Sequence, residues 1–223
     1  MCGRFIPLTT REFADVLRDL GIEAQVDESA PEAAPQPAKP VQPQLPFASL
    51  DEPAQPQTTP PDAFPGSLVP VAYLRDDAVR IALRHWGFAL PWSKGPVFNA
   101  RIEKAREDGN VWNRLLHDGR CLVGSRGFFE PHATQTMPSK HTGKPIKVPY
   151  LFTLPHQETL LMAGLCDQEA FSILTCAPNR WVAPIHDRMP VVLDESAVPM
   201  WLGDGAPDLS DCADVELVAC AQR

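Results

Sequence analysis

The 223-residue sequence lacks most of the features that assign a chain to a class at sight. No apolar run approaches the ~20 residues that cross a bilayer, and no basic stretch leads into an apolar one near Met1, so no membrane span or secretory leader is expected. The six cysteines (Cys2, Cys121, Cys166, Cys176, Cys212, Cys220) form no C-x-x-C pair and stand at no Cys/His metal spacing. That excludes the usual zinc modules and leaves most of them as small buried hydrophobes of a reduced, cytoplasmic protein. G-x-G-x-x-G, the P-loop, H-E-x-x-H and G-x-S-x-G are all missing, which withdraws support from nucleotide, zinc-peptidase and serine-hydrolase chemistry. No metal and no cofactor is expected. Positive charge is also short: 20 Lys and Arg against 28 Asp and Glu give a net charge of -8, which argues against a simple nucleic-acid coat protein. The deficit is uneven, because residues 84–150 hold 11 Lys and Arg against 5 Asp and Glu and can form a basic face on an acidic protein.

What is abundant is proline, 25 in all, of which 10 fall between Pro31 and Pro61 among Ala and Gln with no hydrophobic periodicity. This stretch is expected to be a disordered or polyproline-like excursion inserted into a single domain spanning residues 1–223. The 44% hydrophobic content suffices for one substantial core. Thr9-x-x-Glu12 reads as a capping box ahead of Phe13, Val16, Leu17 and Leu20 at helical spacing, with Gly21 as the stop. Short β-rich runs follow at 68–74, 79–83, 120–123, 148–154, 159–165, 171–176 and 215–219, with short helices at 110–117 and 195–202. The expected fold is α+β, a mainly antiparallel β-sheet or open barrel with a few short helices.

Chemistry concentrates in four segments. In Met1-Cys2-Gly3-Arg4-Phe5, loss of Met1 leaves one residue with both a thiol and a free α-amine. With pKa values of about 8.5 and about 7.7–8.0, both groups are partly deprotonated near neutral pH. Such a 1,2-aminothiol can use its own amine as a base, or capture an aldehyde as an imine and close it to a thiazolidine. Gly3 allows close approach and Arg4 can hold an anion. The second segment runs from Trp86-Gly87 through Pro91-Trp92 to Asn99-Ala100-Arg101, where a strand points Asn99 and Arg101 to one face. The third, Cys121-Leu122-Val123-Gly124-Ser125-Arg126-Gly127-Phe128-Phe129-Glu130, reads as an apolar strand, a glycine turn and a carboxylate among aromatics, whose pKa rises with desolvation. The fourth, Ala183-Pro184-Ile185-His186-Asp187-Arg188-Met189-Pro190, holds a proton-transfer group and a cation between prolines.

In this order the segments resemble the SRAP family of SOS response-associated peptidases, or abasic-site processing proteins, over residues 1–20 and about 64–202. The resemblance implies a compact α+β fold and a protein that shields abasic sites in single-stranded DNA through a thiazolidine cross-link to Cys2, with autopeptidase and lyase side activities. It implies Cys2 as the covalent residue, Asn99 as the orienter of amine and sugar, and Glu130 as the acid/base. His186 would assist proton transfer at the opened deoxyribose. Arg4, Arg101 and Arg188 would contact phosphates, Trp86 or another exposed aromatic would stack a base, and Thr175 would reach the DNA backbone. The implied partners are abasic single-stranded DNA and further replication or repair proteins, with no membrane, for a monomer that is cytoplasmic and nucleoid-associated on damaged DNA.

Three segments depart from the family pattern. Phe64-Pro65-Gly66-Ser67 stands where members show aromatic-Asn-x-x-Pro, Gly124-Ser125-Arg126-Gly127 replaces Pro-Ala-Asp/Asn-Gly, and Pro131-His132 follows Glu130 where Trp-Lys is usual. These departures are expected to fall in DNA-facing loops. Two rival readings stand beside the family one: an N-terminal-cysteine amidohydrolase of the glutamine amidotransferase type, and a non-catalytic module that binds single-stranded DNA or a protein.

Overall fold

The structure, a computed structural model, describes residues 2–27, 61–140, 142–203 and 215–222. Cys212 and the proline-rich stretch, apart from Pro61, lie outside the described residues. The chain order is β1 (Phe5–Pro7), α1 (Thr10–Asp19), β2 (Ala24–Val26), β3 (Leu68–Arg75), β4 (Ala78–Trp86), β5 (Asn99–Arg101), α2 (Ile102–Ala105), α3 (Val111–Asp118) and β6 (Arg120–Pro138). It continues with β7 (Pro145–Thr153), β8 (Leu160–Cys166), β9 (Ala170–Cys176), β10 (Met189–Pro190), β11 (Val192–Leu193), a 3-10 turn (Glu195–Ala197), α4 (Val198–Leu202) and β12 (Val218–Ala221).

The anticipated α+β architecture is present. Strands run β8-β9-β4-β3-β6, and a further pairing of β6 with β8 closes the ring into a barrel. Most pairings are antiparallel, while β2 with β4, β4 with β9 and β5 with β9 are parallel. Both β8 (LLMAGLC) and β9 (AFSILTC) are buried along their whole length, because each has a strand on either side and core on its inner face. That double cover explains why their sequences are apolar runs rather than alternations. Inside the barrel wall, Phe128 stacks on its cross-strand partner Phe152 with centroids 5.1 Å apart, and Trp201 donates its indole N–H to the Cys121 carbonyl at 2.8 Å. Among the described residues no helix is long and apolar enough to cross a membrane.

Helix α1 follows its signals closely. The Thr9 hydroxyl accepts the Glu12 amide and the Glu12 carboxylate accepts the Thr9 amide, so the two satisfy each other's unpaired donors. At the far end Gly21 adopts φ 76°, which lets its amide reach Arg18 O and the Ile22 amide reach Leu17 O, both at 2.9 Å. The third segment differs from expectation: residues 124–127 form no turn, and β6 runs straight through them. Strand β1 pairs across this stretch, Ser125 is fully buried with its hydroxyl on the Ile6 and Gly127 carbonyls, and a Cβ at Gly124 would lie 2.9 Å from Leu8. The glycines here allow close packing, and Gly124 to Gly127 lie within a strand instead of a DNA-facing loop.

Thr9→Ala removes one half of the cap on the helix that covers this packing, and is expected to lower stability by about 1 kcal/mol in urea unfolding.

Candidate active site

Pairing of β1 with β6, Phe5 opposite Phe128, carries the start of the chain over the Phe129-Glu130 run. The Phe129 amide donates to the Arg4 carbonyl at 2.9 Å, and the Cys2 thiol lies 3.5 Å from that same oxygen. From the other side, parallel pairing of β5 with β9 sets Asn99 opposite Ile173, and the Asn99 side-chain amide donates to the Cys2 carbonyl at 2.8 Å. Ala100 is buried and Arg101 exposed, so Asn99 and Arg101 share a face as their spacing requires. The loop leading into β10 presents His186, whose Nε2 lies 3.6 Å from Glu130 Oε2. Four residues from four distant segments therefore meet: Cys2, Asn99, Glu130 and His186.

Burial sets their charge states. Cys2 and Glu130 are both fully buried. Desolvation pushes the Cys2 thiol well above its ordinary range, and the negative charge of Glu130 adds to the effect. Desolvation likewise lifts Glu130 to about 7, with Asp187 raising it further, so the carboxyl shares its proton near neutrality. His186 moves the other way, because burial disfavours its cation and the positive charge of Lys147 contributes. His186 Nδ1 lies 2.9 Å from the Arg188 carbonyl and 3.0 Å from the Arg188 amide, which leaves Nε2 as the ring nitrogen that faces Glu130. The arrangement is a proton-transfer pair beside a protonated thiol and the position its own α-amine occupies.

The three arginines singled out for phosphates are placed differently from one another. Arg4 is paired with Asp62 through both Nε, at 2.6 Å, and Nη2, and its guanidinium covers the Phe129 ring at 4.0 Å. Ala63 bridges to Phe5 and fixes Asp62 in that position. Arg188 makes a bidentate pair with Glu103, at 2.7 and 2.9 Å, and donates to the Thr175 carbonyl at 2.7 Å. Arg101 is exposed. Asp62 and Glu103 are the charged partners that the sequence reading missed; Glu103 sits two residues past Arg101 and carries no separate signal.

Two expectations are corrected. Trp86 is not available to a base: it is fully buried, packed edge-on against Phe5 at 4.7 Å and Phe98 at 5.7 Å, with its N–H on the Phe98 carbonyl. The exposed aromatics among the described residues are Trp92, 70% exposed in the Pro-Trp-Ser-Lys-Gly loop between β4 and β5, and Phe64, 52% exposed with its ring centroid 5.9 Å from the Arg4 guanidinium. Thr175 is also fully buried, its hydroxyl directed at the Ala100 carbonyl and Arg188, so it positions that arginine and does not present itself to a ligand. A strand buried on both faces leaves it no other course.

A sequence profile described as SOS response associated peptidase (SRAP) matches residues 1–220. An abasic site processing protein of Saccharomyces cerevisiae is 28% identical over 213 residues, covering 87% of this chain and 52% of that protein. Abasic site processing protein YedK of Escherichia coli is 28% identical over 144 residues, covering 62% of each chain. The chain thus spans about half to three-fifths of the length of these curated relatives. Among solved structures, a protein from Bordetella bronchiseptica superposes with a TM-score of 0.63 at 20% identity over 100% of both chains. Another, from Bacteroides thetaiotaomicron, gives 0.56 at 19% identity over 73% of this chain and 77% of that one. These two likenesses concern the fold alone.

The placement of the tryptophans predicts that Trp86→Ala costs ~3–5 kcal/mol in denaturant unfolding whereas Trp92→Ala stays within about 0.5 kcal/mol of wild type. Glu130 gives a second prediction. Its folded pKa of about 7 lies above the ordinary 4.5, so the native state binds more protons in that window and stability falls as pH rises through it. Glu130→Gln is therefore expected to exceed wild-type stability by on the order of 3 kcal/mol at pH 8, the gain vanishing below pH 4.

Proposed function

Because this chain belongs to the SOS response associated peptidase (SRAP) family, we propose that it processes abasic sites in single-stranded DNA by capturing the lesion covalently on Cys2. The observation that carries the reading is the convergence of Cys2, Asn99, Glu130 and His186 in one cluster, Cys2 and Glu130 buried and Asn99 and His186 half-buried at its mouth, with Asn99 2.8 Å from the Cys2 carbonyl. The family name given to both curated relatives points to the same lesion.

Release of Met1, an autopeptidase step in this proposal, exposes the Cys2 amine. The ring-opened abasic sugar presents an aldehyde carbon at C1′, and the amine adds to it to form a carbinolamine. Glu130, protonated up to about pH 7, gives its proton to the departing hydroxyl, which leaves as water, and the imine remains. The thiol then adds to the carbon of this still-protonated imine, closing the carbon–sulfur bond while the C=N electron pair settles on the nitrogen, which keeps its proton, and the thiol proton passes to the ionised Glu130, restoring it. A thiol held protonated by burial suits this order, since the amine reacts first and the sulfur second. Asn99 holds the Cys2 carbonyl and so fixes the direction in which the amine points. The neutral His186 facing Glu130 carries the proton shed by the adding amine to the carbinolamine oxygen. From the imine, loss of the adjacent C2′ proton with departure of the 3′ phosphate is the lyase branch. Phe64, exposed beside Arg4, and Trp92 offer aromatic faces on which a base can stack, a contact worth ~1–3 kcal/mol.

Incubation with single-stranded DNA carrying one abasic site is expected to give an adduct that survives denaturing electrophoresis. Cys2→Ala abolishes it, and Glu130→Gln slows its formation at least 10-fold at pH 6.5, a typical share for one positioned acid or base of ~100-fold or more. Hydrolysis of glutamine with no adduct favours the amidohydrolase reading instead, and equal binding of the DNA by Cys2→Ala with no adduct from either protein favours the non-catalytic module.

A further inference from the structure

Immediately past Glu130 the chain leaves the barrel. Between Pro131 and Thr136 the register of β6 against β7 shifts, so that residues 132–135 bulge while only Val148 separates their partners Lys147 and Pro149. The His132 ring accepts the amides of Thr134 and Gln135 at 3.1 Å each and stabilises this bulge, and the Ala133 amide ties it to the Ile185 carbonyl beside His186. Beyond the bulge three rungs, Thr136 with Lys147, Met137 with Ile146 and Pro138 with Pro145, carry an arm whose described residues are mostly exposed. Bulges next to reactive sites commonly re-aim a strand in this way.

The chemistry of the arm is one-sided. From Pro131 to Phe152 the sequence has Lys140, Lys144 and Lys147, five hydroxyl residues and no Asp or Glu, in a chain whose net charge is -8. Lys140, Lys144, Lys147 and Thr134, Thr136 and Thr142 are exposed, and the charge of Lys147 reaches His186. Two carboxylates stand at this border: Glu130, buried immediately before Pro131, and Asp187, 3.4 Å from His186 Nδ1 and 92% exposed. Meanwhile Arg4 and Arg188 already hold Asp62 and Glu103, so phosphates arriving at the cluster meet two arginines with occupied forks beside the exposed Arg101. Lysines interleaved with hydroxyls are the donors that fix a sugar-phosphate backbone without reading its bases.

We infer that the β6–β7 arm is a docking surface for the backbone of the lesion-bearing single strand, holding the phosphates that flank the sugar seated between Cys2 and Glu130. The inference rests on the function proposed above for that site. The arm acts on binding and residence, while Cys2 and Glu130 act on chemistry.

The test uses the full chain and a fluorescent single-stranded oligonucleotide containing a tetrahydrofuran abasic analogue, which has no aldehyde and reports binding alone. Each single-strand phosphate contact contributes about 0.7 to the slope of log affinity against log salt, so Lys140→Ala/Lys144→Ala/Lys147→Ala is expected to reduce that slope by about 2. Wild type then loses about 20-fold more affinity than the variant between 50 and 200 mM salt. At saturating DNA with a true aldehyde, a Lys140→Ala/Lys144→Ala variant, which keeps the Lys147 charge beside His186, is expected to reach the wild-type rate of adduct formation. A control that removes three exposed cations elsewhere, Arg11→Ala/Arg18→Ala/Arg75→Ala, is expected to change the slope by less than half as much. An unchanged slope in the lysine variant, an equal change in the control, or an effect confined to duplex DNA overturns the inference. Absence of any Cys2-dependent adduct overturns the proposed chemistry while leaving the salt slope to report on the arm independently.

Discussion

Glu130 is fully buried on β6, the strand that pairs with β1, β3, β7 and β8. An ionised carboxyl at such a place costs several kcal/mol, and the fold lowers that cost by letting the group keep its proton to about pH 7. Everything else at the site is arranged around this constraint. The thiol of Cys2 stays protonated for the same reason, His186 stays neutral, and Asn99 fixes the backbone that carries the amine. A carboxyl strained in this way reduces stability and provides an acid near neutral pH, as is common where a reactive site is built into a barrel wall.

The same economy governs the cations. Asp62, held in place by the bridge from Ala63 to Phe5, and Glu103, just past β5, occupy Arg4 and Arg188 in the resting protein. Paired arginines fix the rim of the site and keep its net charge low. An approaching phosphate has to share the guanidinium or displace a carboxylate, which makes binding at the reactive centre depend on what the rest of the strand contributes. In the proposal above, the acid-free arm beyond the bulge makes that contribution.

Much of this was legible in the sequence. Thr9, Glu12 and Gly21 mark α1 because their signals are local, and Asn110 caps α3 with its side chain on the Trp112 and Asn113 amides for the same reason. The long strands declare themselves by their apolar runs. Strands β1, β2, β5, β10 and β11 have two or three residues each and no period to read, although β1 and β5 place Cys2 and Asn99. The glycines at 124 and 127 read as a turn because glycine serves turns and close packing alike, and only tertiary pairing decides between them. Trp86 and Trp92 could not be told apart by type, since exposure follows from which strand ends where. The four clustered residues were recognisable as motifs, yet their meeting depends on long-range pairings, such as Asn99 with Cys2 across 97 positions, that no local pattern encodes.

The account stands on a covalent bond between the abasic sugar and both reactive atoms of Cys2. Mass spectrometry of the N-terminal tryptic peptide, after reaction with abasic single-stranded DNA and nuclease digestion, tests it most directly. The account predicts the peptide Cys2-Gly3-Arg4, without Met1, carrying the deoxyribose remnant with loss of a single water and surviving without a reducing agent. An unmodified peptide, one that retains Met1, or one whose sugar is stable only after chemical reduction of an imine would contradict it.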